Sequence, residues 1–204
     1  MFFLAKIAPC IISLHGKTDN SLMQDRVKIH DKWFKPFIPE AVLKERVKAV
    51  AKQISADLAD KNPLFLSVLT GSFVFAADLL RYLDFSAEVE FVRVSSYKGL
   101  SSTGDVQEIM GLKGDISGRT VVIVEDIVDS GLSMDATIKM VKKHNPAEVK
   151  VCTLMCKPDC LKVKVPIDYM AMEIPEGFIV GYGLDYNQLG RNLKDIYVID
   201  EKQE

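Results

Sequence analysis

The chain has 204 residues, a formal net charge of −2, and ordinary globular proportions of hydrophobic (48%) and charged (26%) residues. This composition argues against disorder, collagen and coiled coil, and the length predicts one domain with a sizeable core. The slightly acidic balance disfavours a dedicated nucleic-acid-binding protein, which usually carries a clear basic excess. The chain contains 4 cysteines, too few for a disulfide scaffold, so we expect a reducing, cytoplasmic setting.

The apolar start of the chain predicts an N-terminal extension rather than a signal peptide. The opening apolar run has no basic region before it, is interrupted by Lys6 and Pro9, and is followed by no small-residue cleavage pattern. It is also too short to span a bilayer, and no other segment is a candidate for a membrane span. We therefore expect residues 1–22 to be a disordered or adventitious extension and residues 23–204 to form a single domain.

Apolar patterning divides the rest of the chain into alternating helices and strands. In chain order it predicts a helix over 39–60, a strand over 64–69, a helix over 73–83, a strand over 89–97, a polar stretch without an element over 98–118, a strand over 120–125, a helix over 134–144, a strand over 148–156, and shorter strands over 168–172, 178–182 and 195–199. The main strands are continuous apolar runs, which is typical of a mostly parallel sheet covered by helices on both faces. The predicted fold class is therefore α/β, and the long polar stretch is typical of a lid or binding loop.

The most informative segment, residues 121–133, reads VVIVEDIVDSGLS. Its apolar residues predict a central strand, and its carboxyl end carries Glu125 and Asp126 at the edge where open α/β sheets bind ligands. A turn centred on Gly131 then opens a helix, whose N-terminal N–H groups suit a phosphate. Adjacent carboxylates repel phosphate but can hold hydroxyl groups or a divalent cation. The segment therefore predicts a site for a phosphorylated sugar.

A plainer interpretation is that Asp129 and Ser130 only cap the helix, and that the two acids before them are solvated turn residues. The complete pattern favours the functional interpretation, because residues 121–133 resemble the phosphoribosyl-pyrophosphate (PRPP) motif of type I phosphoribosyltransferases at every position. The resemblance extends over residues 27–199 and is closest to the hypoxanthine-guanine branch of the family. Residues 174–191, IPEGFIVGYGLDYNQLGR, are similar to that branch's base-recognition segment.

The resemblance implies a fold and a reaction. The fold is the type I phosphoribosyltransferase fold, a twisted, mostly parallel sheet flanked by helices with a small hood from the terminal segments. The reaction is purine salvage, in which hypoxanthine or guanine takes the phosphoribosyl group of PRPP at N9, giving IMP or GMP and pyrophosphate with the help of Mg²⁺. The implied partners are PRPP, the purine base and pyrophosphate, without nucleic acid or membrane, and the implied assembly is a homodimer or homotetramer.

The resemblance also implies a role for individual residues of this chain. For PRPP, the implied groups are Glu125 and Asp126 at the ribose hydroxyls and Mg²⁺, Asp129, Ser130, Gly131, Leu132 and Ser133 at the 5′-phosphate, and Leu69, Thr70, Gly71 and Arg191 at pyrophosphate. For the purine, they are Asp129 as the general base for the N7 proton and Lys157, Phe178, Ile179 and Asp185 in the binding site, with Asp185 also a Mg²⁺ ligand. Ser96 and Tyr97 would belong to the mobile lid. Lys157 would donate to the 6-oxo group, which favours hypoxanthine and guanine over adenine. The plainer alternatives are an exposed lysine at Lys157 and core packing at Phe178.

The chain departs from the family pattern at a few positions. Thr70 stands where many members have a lysine, and Leu132 stands where some have a basic residue, so backbone N–H groups are expected to bind the phosphates there. Leu69–Thr70 occupies the position of the family's non-proline cis peptide, and residues 158–160 lack the basic residues of some relatives.

Two functional alternatives stay open. One is a non-catalytic regulator of the same fold that senses PRPP or a nucleotide, and such a protein should carry a basic nucleic-acid-binding face. The other is a transferase that prefers xanthine. The cysteine spacing does not suit zinc, so Cys152 and Cys156 are expected to pack in the core. Packing is also an alternative to ligand binding for Tyr182 and Tyr186.

Overall fold

Two β-sheets organise the residues that the computed structural model describes, which are 26–96, 106–110 and 114–201. The strands are β1 (Val27–Ile29), β2 (Lys32–Ile38), β3 (Leu64–Leu69), β4 (Glu88–Ser96), β5 (Val106–Met110), β6 (Thr120–Val128), β7 (Glu148–Cys156), β8 (Tyr169–Glu173), β9 (Ile179–Val180) and β10 (Ile196–Ile199). The helices are α1 (Glu40–Leu58), α2 (Phe73–Arg81), α3 (Leu132–Lys142) and a 3₁₀ turn (Pro158–Cys160). The expected extension over 1–22 lies outside the described residues, as does Tyr97 of the expected lid.

The larger sheet has the strand order β5-β4-β3-β6-β7-β8. Its strands pair in parallel from β4 to β8, and β5 alone joins the edge in the antiparallel sense. Leu64 and Leu66 of β3 pack in the cluster that includes α3, whereas Phe65 packs in the cluster that includes α1 and α2. Both faces of the sheet are therefore buried, which explains the continuous apolar runs and confirms the predicted α/β fold.

Helix α1 packs on this sheet through one apolar stripe. Leu43, Val47 and Ile54 recur at helical spacing and are buried. Pro39 occupies the N-cap position, and the backbone N–H of Glu40 donates to Asp195 Oδ1 at 2.7 Å, so the start of the helix is tied to the C-terminal part of the chain. Among the described residues, no helix is long and apolar enough to cross a membrane.

The smaller sheet, which we call the hood, consists of β1, β2, β10 and β9 in that order, all antiparallel. It joins a segment before α1 to the last strands of the described chain, and Phe34 and Val180 are fully buried in its own apolar cluster. The buried carboxylate of Asp200 pairs with Arg26 beside it. The hood expected from terminal segments is confirmed.

Several expected element bounds differ from the observed ones, and three of these differences concern β6, β5 and α3. Strand β6 continues past residue 125 to Val128, because residues 127 and 128 keep their pairing with Met155 and Cys156 of β7. Residues 106–110, inside the polar stretch expected to hold no element, form β5 because an antiparallel ladder on β4 needs backbone pairing rather than an apolar run. Helix α3 begins at Leu132, two residues earlier than the apolar pattern suggests.

Candidate active site

The turn between β6 and α3 has the form of an anion-binding turn. Gly131 has a φ of 79°, and a Cβ added there would lie 2.5 Å from the carbonyl oxygen of Val163, so only glycine fits. The Ser130 carbonyl accepts hydrogen bonds from the backbone N–H groups of Lys162 at 2.9 Å and Val163 at 3.3 Å. Leu132 and Ser133, the first two residues of α3, are exposed to solvent. Residues 162 and 163 thus hold the turn in place, and the helix N-terminus that follows it can bind a phosphate.

Asp129 and Lys157, the expected general base and purine lysine, meet beside this turn. Lys157 Nζ lies 2.7 Å from Asp129 Oδ2, and the backbone N–H of Lys157 donates to the Val128 carbonyl at 3.0 Å. Lys157 is only 7% exposed, whereas Asp129 is exposed. A buried ammonium requires a partner, and the carboxylate provides it. Lys157 is therefore not an ordinary surface lysine, and Asp129 does not cap α3, whose N-cap is Gly131.

Glu125 and Asp126 lie side by side on β6. Asp126 is 8% exposed, and its Oδ1 accepts the backbone N–H of Ile127 at 2.8 Å. Burial raises the pKa of Asp126, and burial together with the neighbouring charge of Asp126 raises the pKa of Glu125 well above its usual value. Burial of two adjacent carboxylates favours their protonated forms, and hydroxyl donors or a divalent cation would stabilise the ionised forms.

Three segments of the site meet at Gly71. A Cβ on Gly71 would overlap the Asp126 carboxylate, and a Cβ on Gly183, whose φ is 104°, would overlap the carbonyl oxygen of Gly71. Glycine at these two positions therefore lets the loop after β3 lie between the carboxylates of β6 and the segment after β9. The peptide bond between Leu69 and Thr70 in this loop is cis, as the resemblance implies.

Arg191 is held at the same junction. Its Nη1 donates to the Gly183 carbonyl at 2.8 Å, and its Nη2 lies 2.5 Å from Asp185 Oδ1. The other oxygen of Asp185 accepts the backbone N–H of Gln188 at 2.8 Å. The guanidinium charge also acts to lower the pKa of Asp126, against the larger effect of burial. The expected pyrophosphate arginine thus lies close to the expected ribose and metal carboxylates.

The described residues do not form a complete metal cage. Among them, no group of three or more His, Cys, Asp and Glu side chains could hold an ion, and the expected roles of Glu125, Asp126 and Asp185 as Mg²⁺ ligands stay predictions. Asp185 pairs with Arg191. The remaining two carboxylates still fit Mg²⁺, which prefers oxygen ligands and commonly takes the rest of them from substrate phosphates and water.

Phe178 presents an aromatic surface from the hood. Its ring is 45% exposed, lies 6.2 Å from Phe34 and contacts Tyr186 edge-on at 5.7 Å between ring centroids. The Tyr186 hydroxyl donates to Asp31 Oδ1 at 2.8 Å, which fixes that supporting ring. Pure core packing is therefore wrong for Phe178, since its ring is supported from behind and partly open. Ile179 beside it is buried and belongs to β9.

Sequence reasoning missed one polar contact near the site. The hydroxyl of Tyr182, interpreted from the sequence only as a packing or binding residue, donates to Asp78 Oδ2 at 2.5 Å across 104 positions of the chain. No local pattern signals a contact between residues so far apart. The expectation for Cys152 and Cys156 is confirmed, because both are buried free thiols.

Comparison with known proteins agrees with this geometry. Residues 40–187 match a family model described as the phosphoribosyl transferase domain. The chain is 37% identical over 176 residues to a hypoxanthine-guanine phosphoribosyltransferase of Aquifex aeolicus (85% of this chain, 99% of the relative). It is 40% identical over 161 residues to a hypoxanthine-guanine-xanthine phosphoribosyltransferase of Tritrichomonas foetus (78% and 87%). A solved hypoxanthine-guanine phosphoribosyltransferase of Bacillus anthracis aligns with a TM-score of 0.76 at 38% identity (81% and 96%).

Proposed function

The chain belongs to the phosphoribosyltransferase family, and from this premise we propose that it transfers the phosphoribosyl group of PRPP to N9 of hypoxanthine or guanine. The observation that carries the proposal is the 2.7 Å pair of Asp129 and Lys157 beside the turn at the start of α3. A 6-oxopurine presents an N7–H donor next to its 6-oxo acceptor. A carboxylate next to an ammonium is complementary to that edge, whereas adenine would turn amino hydrogens toward the ammonium.

In the proposed reaction, N9 of the base bonds to the anomeric carbon of PRPP as the bond to pyrophosphate breaks. The purine must lose its N7 proton, and Asp129 is the base placed to accept it. Lys157 holds the 6-oxo oxygen, and the exposed ring of Phe178 stacks on the base. In this proposal Lys157 and Phe178 orient the purine, and Asp129 receives its proton.

We assign the PRPP half of the site to the turn and the two loops around it. Backbone N–H groups of residues 129–133 bind the 5′-phosphate, and Glu125 and Asp126 accept hydrogen bonds from the ribose hydroxyls. The loop at residues 69–71 and the free donors of Arg191 bind pyrophosphate. Glu125, Asp126 and Asp185 would hold Mg²⁺, and the bound ion would supply Lewis-acid neutralisation of the leaving group.

A second candidate extends the base range to xanthine. It is favoured by the Tritrichomonas foetus relative, whose name includes that base and which is 40% identical over 161 residues. The regulator without catalysis is disfavoured, because such a protein should carry a basic nucleic-acid-binding face and the net charge of this chain is −2. A single domain over 23–204, a homodimer or homotetramer, and a cytoplasmic location stay predictions, the last two to be checked by light scattering and cell fractionation.

The test is nucleotide formation from each of hypoxanthine, guanine and xanthine with PRPP and Mg²⁺. We expect IMP or GMP, and we expect Asp129→Asn to lower kcat by about 10²–10⁴-fold with little change in the KM for PRPP. The matched control is Asp135→Asn, which removes a half-buried carboxylate of α3 paired with Lys139. Absence of nucleotide from all three bases overturns the proposal, and a salt-dependent RNA or DNA mobility shift would then support the regulator.

A further inference from the structure

Tyr182 connects the segment after β9 to helix α2. Its side chain is 2% exposed, and its hydroxyl donates to Asp78 Oδ2 at 2.5 Å. Burial and the Asp78 carboxylate both raise the pKa of this phenol, so it remains a neutral donor. Asp78 lies on α2, which begins two residues after Gly71. A buried hydrogen bond to a carboxylate thus links the segment to the element that follows the pyrophosphate loop.

The backbone next to Tyr182 is in direct contact with that loop. Gly183 lies so close to the Gly71 carbonyl that a Cβ would overlap it. Gly183 also exchanges two hydrogen bonds with Arg191, donating its N–H to the Arg191 carbonyl at 3.0 Å and accepting from the guanidinium at 2.8 Å. Tyr182 itself has a φ of 49° and donates its N–H to the Leu193 carbonyl at 2.8 Å. Gly183, the residue after Tyr182, therefore contacts both Gly71 and Arg191.

The purine side of the same segment has an independent anchor. Ile179 and Val180 form β9 and pair with Val198 and Tyr197 of β10. The carbonyl of Phe178 also accepts the backbone N–H of Ile199 at 2.8 Å. Loss of the Tyr182 hydroxyl would therefore leave the stacking ring in place while loosening the contact with the pyrophosphate loop.

We propose that Tyr182, through its hydrogen bond to Asp78, is a positioning residue for the pyrophosphate half of the site and not for the purine half. This inference rests on the proposed function, since it assigns Gly71 and Arg191 to pyrophosphate. Tyr182 touches neither the base nor the reacting carbon. It acts by holding Gly183 against the loop, which fixes the direction from which Arg191 approaches.

The test is Tyr182→Phe, which removes one oxygen and keeps the ring. We expect the KM for PRPP and the Kd for pyrophosphate with Mg²⁺, measured by calorimetry, to rise about 3–10-fold. This is less than the full effect of a hydrogen bond to a charged group, because Tyr182 acts on the ligand only through Gly183. The KM for hypoxanthine should change less than about twofold. The matched control is Tyr169→Phe, which removes a buried phenol–carboxylate hydrogen bond of 3.2 Å to Asp57, from β8 to α1. This control should leave both KM values unchanged.

Variants of Asp78 test whether the hydrogen bond itself carries the effect. Asp78→Asn keeps an acceptor for Tyr182, so its KM for PRPP should stay close to that of the wild-type chain. Asp78→Ala removes the acceptor and should raise this KM as much as Tyr182→Phe does. The double variant Tyr182→Phe, Asp78→Ala should be no weaker than either single variant, because both remove the same contact. Equal effects of the Tyr182 and Tyr169 variants, or equal rises in the KM for PRPP and base, overturn the inference. Failure of the wild-type chain to make nucleotide overturns the proposed function instead, and the pyrophosphate affinities still decide the role of Tyr182.

Discussion

Glu125 shows how a functional residue can act against the stability of the folded chain. Burial and the charge of Asp126 raise its pKa well above the ordinary value of 4.5. As pH rises from that ordinary value toward the raised one, the unfolded chain has lost a proton that the folded chain still holds. The free energy of unfolding therefore falls as pH rises through this window. The ligand-binding role proposed for Glu125 therefore comes at a cost in stability.

We expect Glu125→Gln to stabilise the metal-free protein at neutral pH and to abolish turnover. In EDTA at about pH 7–8 the melting temperature should rise by at least about 2 °C, since each kcal/mol is worth about 2–4 °C in a domain of this size. Thermal melts across pH should show this gain disappear below the ordinary pKa of 4.5. The control is Glu148→Gln, because Lys150 lowers the pKa of Glu148 and its loss should not stabilise. A lower melting temperature for the Glu125 variant at pH 8 contradicts the expectation.

At the scale of elements, the strands buried on both faces could be predicted best. The strands predicted over 64–69 and 148–156 are β3 and β7 with the same bounds. Both consist mostly of apolar residues without a strict alternation, because helices cover both faces of the sheet. Helix α1 could also be predicted, since its buried residues recur at helical spacing between Pro39 and Leu58.

The hood strand β2 could not be predicted in the same way. It contains Lys35 and Pro36, which are exposed, and only Phe34 and Ile38 are buried along its length. It pairs with the short neighbouring strand β1 on one side and with β10, far along the chain, on the other. A polar strand of this kind depends on tertiary contacts rather than on an apolar pattern of its own.

The candidate site, like the fold, could be predicted only in part. Glu125, Asp126 and Asp129 are adjacent in sequence, and their motif could be interpreted directly. The pairing of Asp129 with Lys157, 28 positions away, depends on two neighbouring strands ending at one edge of the sheet. Distance along the chain hides such contacts, so the motif predicts which groups take part but not how they are held.

Phe34 of the hood strand β2 packs behind Phe178, the ring proposed to stack on the purine. We therefore expect Phe34→Leu to weaken purine binding selectively. Phe34 is fully buried and lies 6.2 Å from Phe178. A smaller side chain removes packing behind the exposed ring, so the KM for hypoxanthine should rise about 3–10-fold with an unchanged KM for PRPP.

The control for this variant is Phe65→Leu, in the main core. Phe65 is also fully buried, and its ring packs 6.4 Å from that of Phe85. Both substitutions should destabilise the fold by about 1–3 kcal/mol, but only the hood variant should change the KM for base. Equal KM values in the two variants would show that β2 stabilises the hood without supporting the purine.

At the scale of the whole molecule, the two sheets contribute different halves of one site. The six-stranded sheet brings Glu125, Asp126 and Asp129 to its edge, and the hood brings Phe178. The chain has a net charge of −2, so polyanionic PRPP meets an acidic molecule whose carboxylates lie beside the phosphate turn. PRPP binding should therefore depend on a cation that interacts with both the protein carboxylates and the PRPP phosphates.

We expect PRPP to stabilise the chain only when Mg²⁺ is present. At a PRPP concentration about 100 times its Kd, binding adds about 2.7 kcal/mol to the free energy of unfolding, which corresponds to about 5–10 °C in the melting temperature. EDTA should remove most of this shift, because Glu125 and Asp126 would then face bare phosphates. Asp126→Asn should reduce the difference between the two conditions, since it removes one of the two carboxylates. An equal shift with and without Mg²⁺ in the wild-type chain would exclude the acidic pair as the reason for the metal requirement.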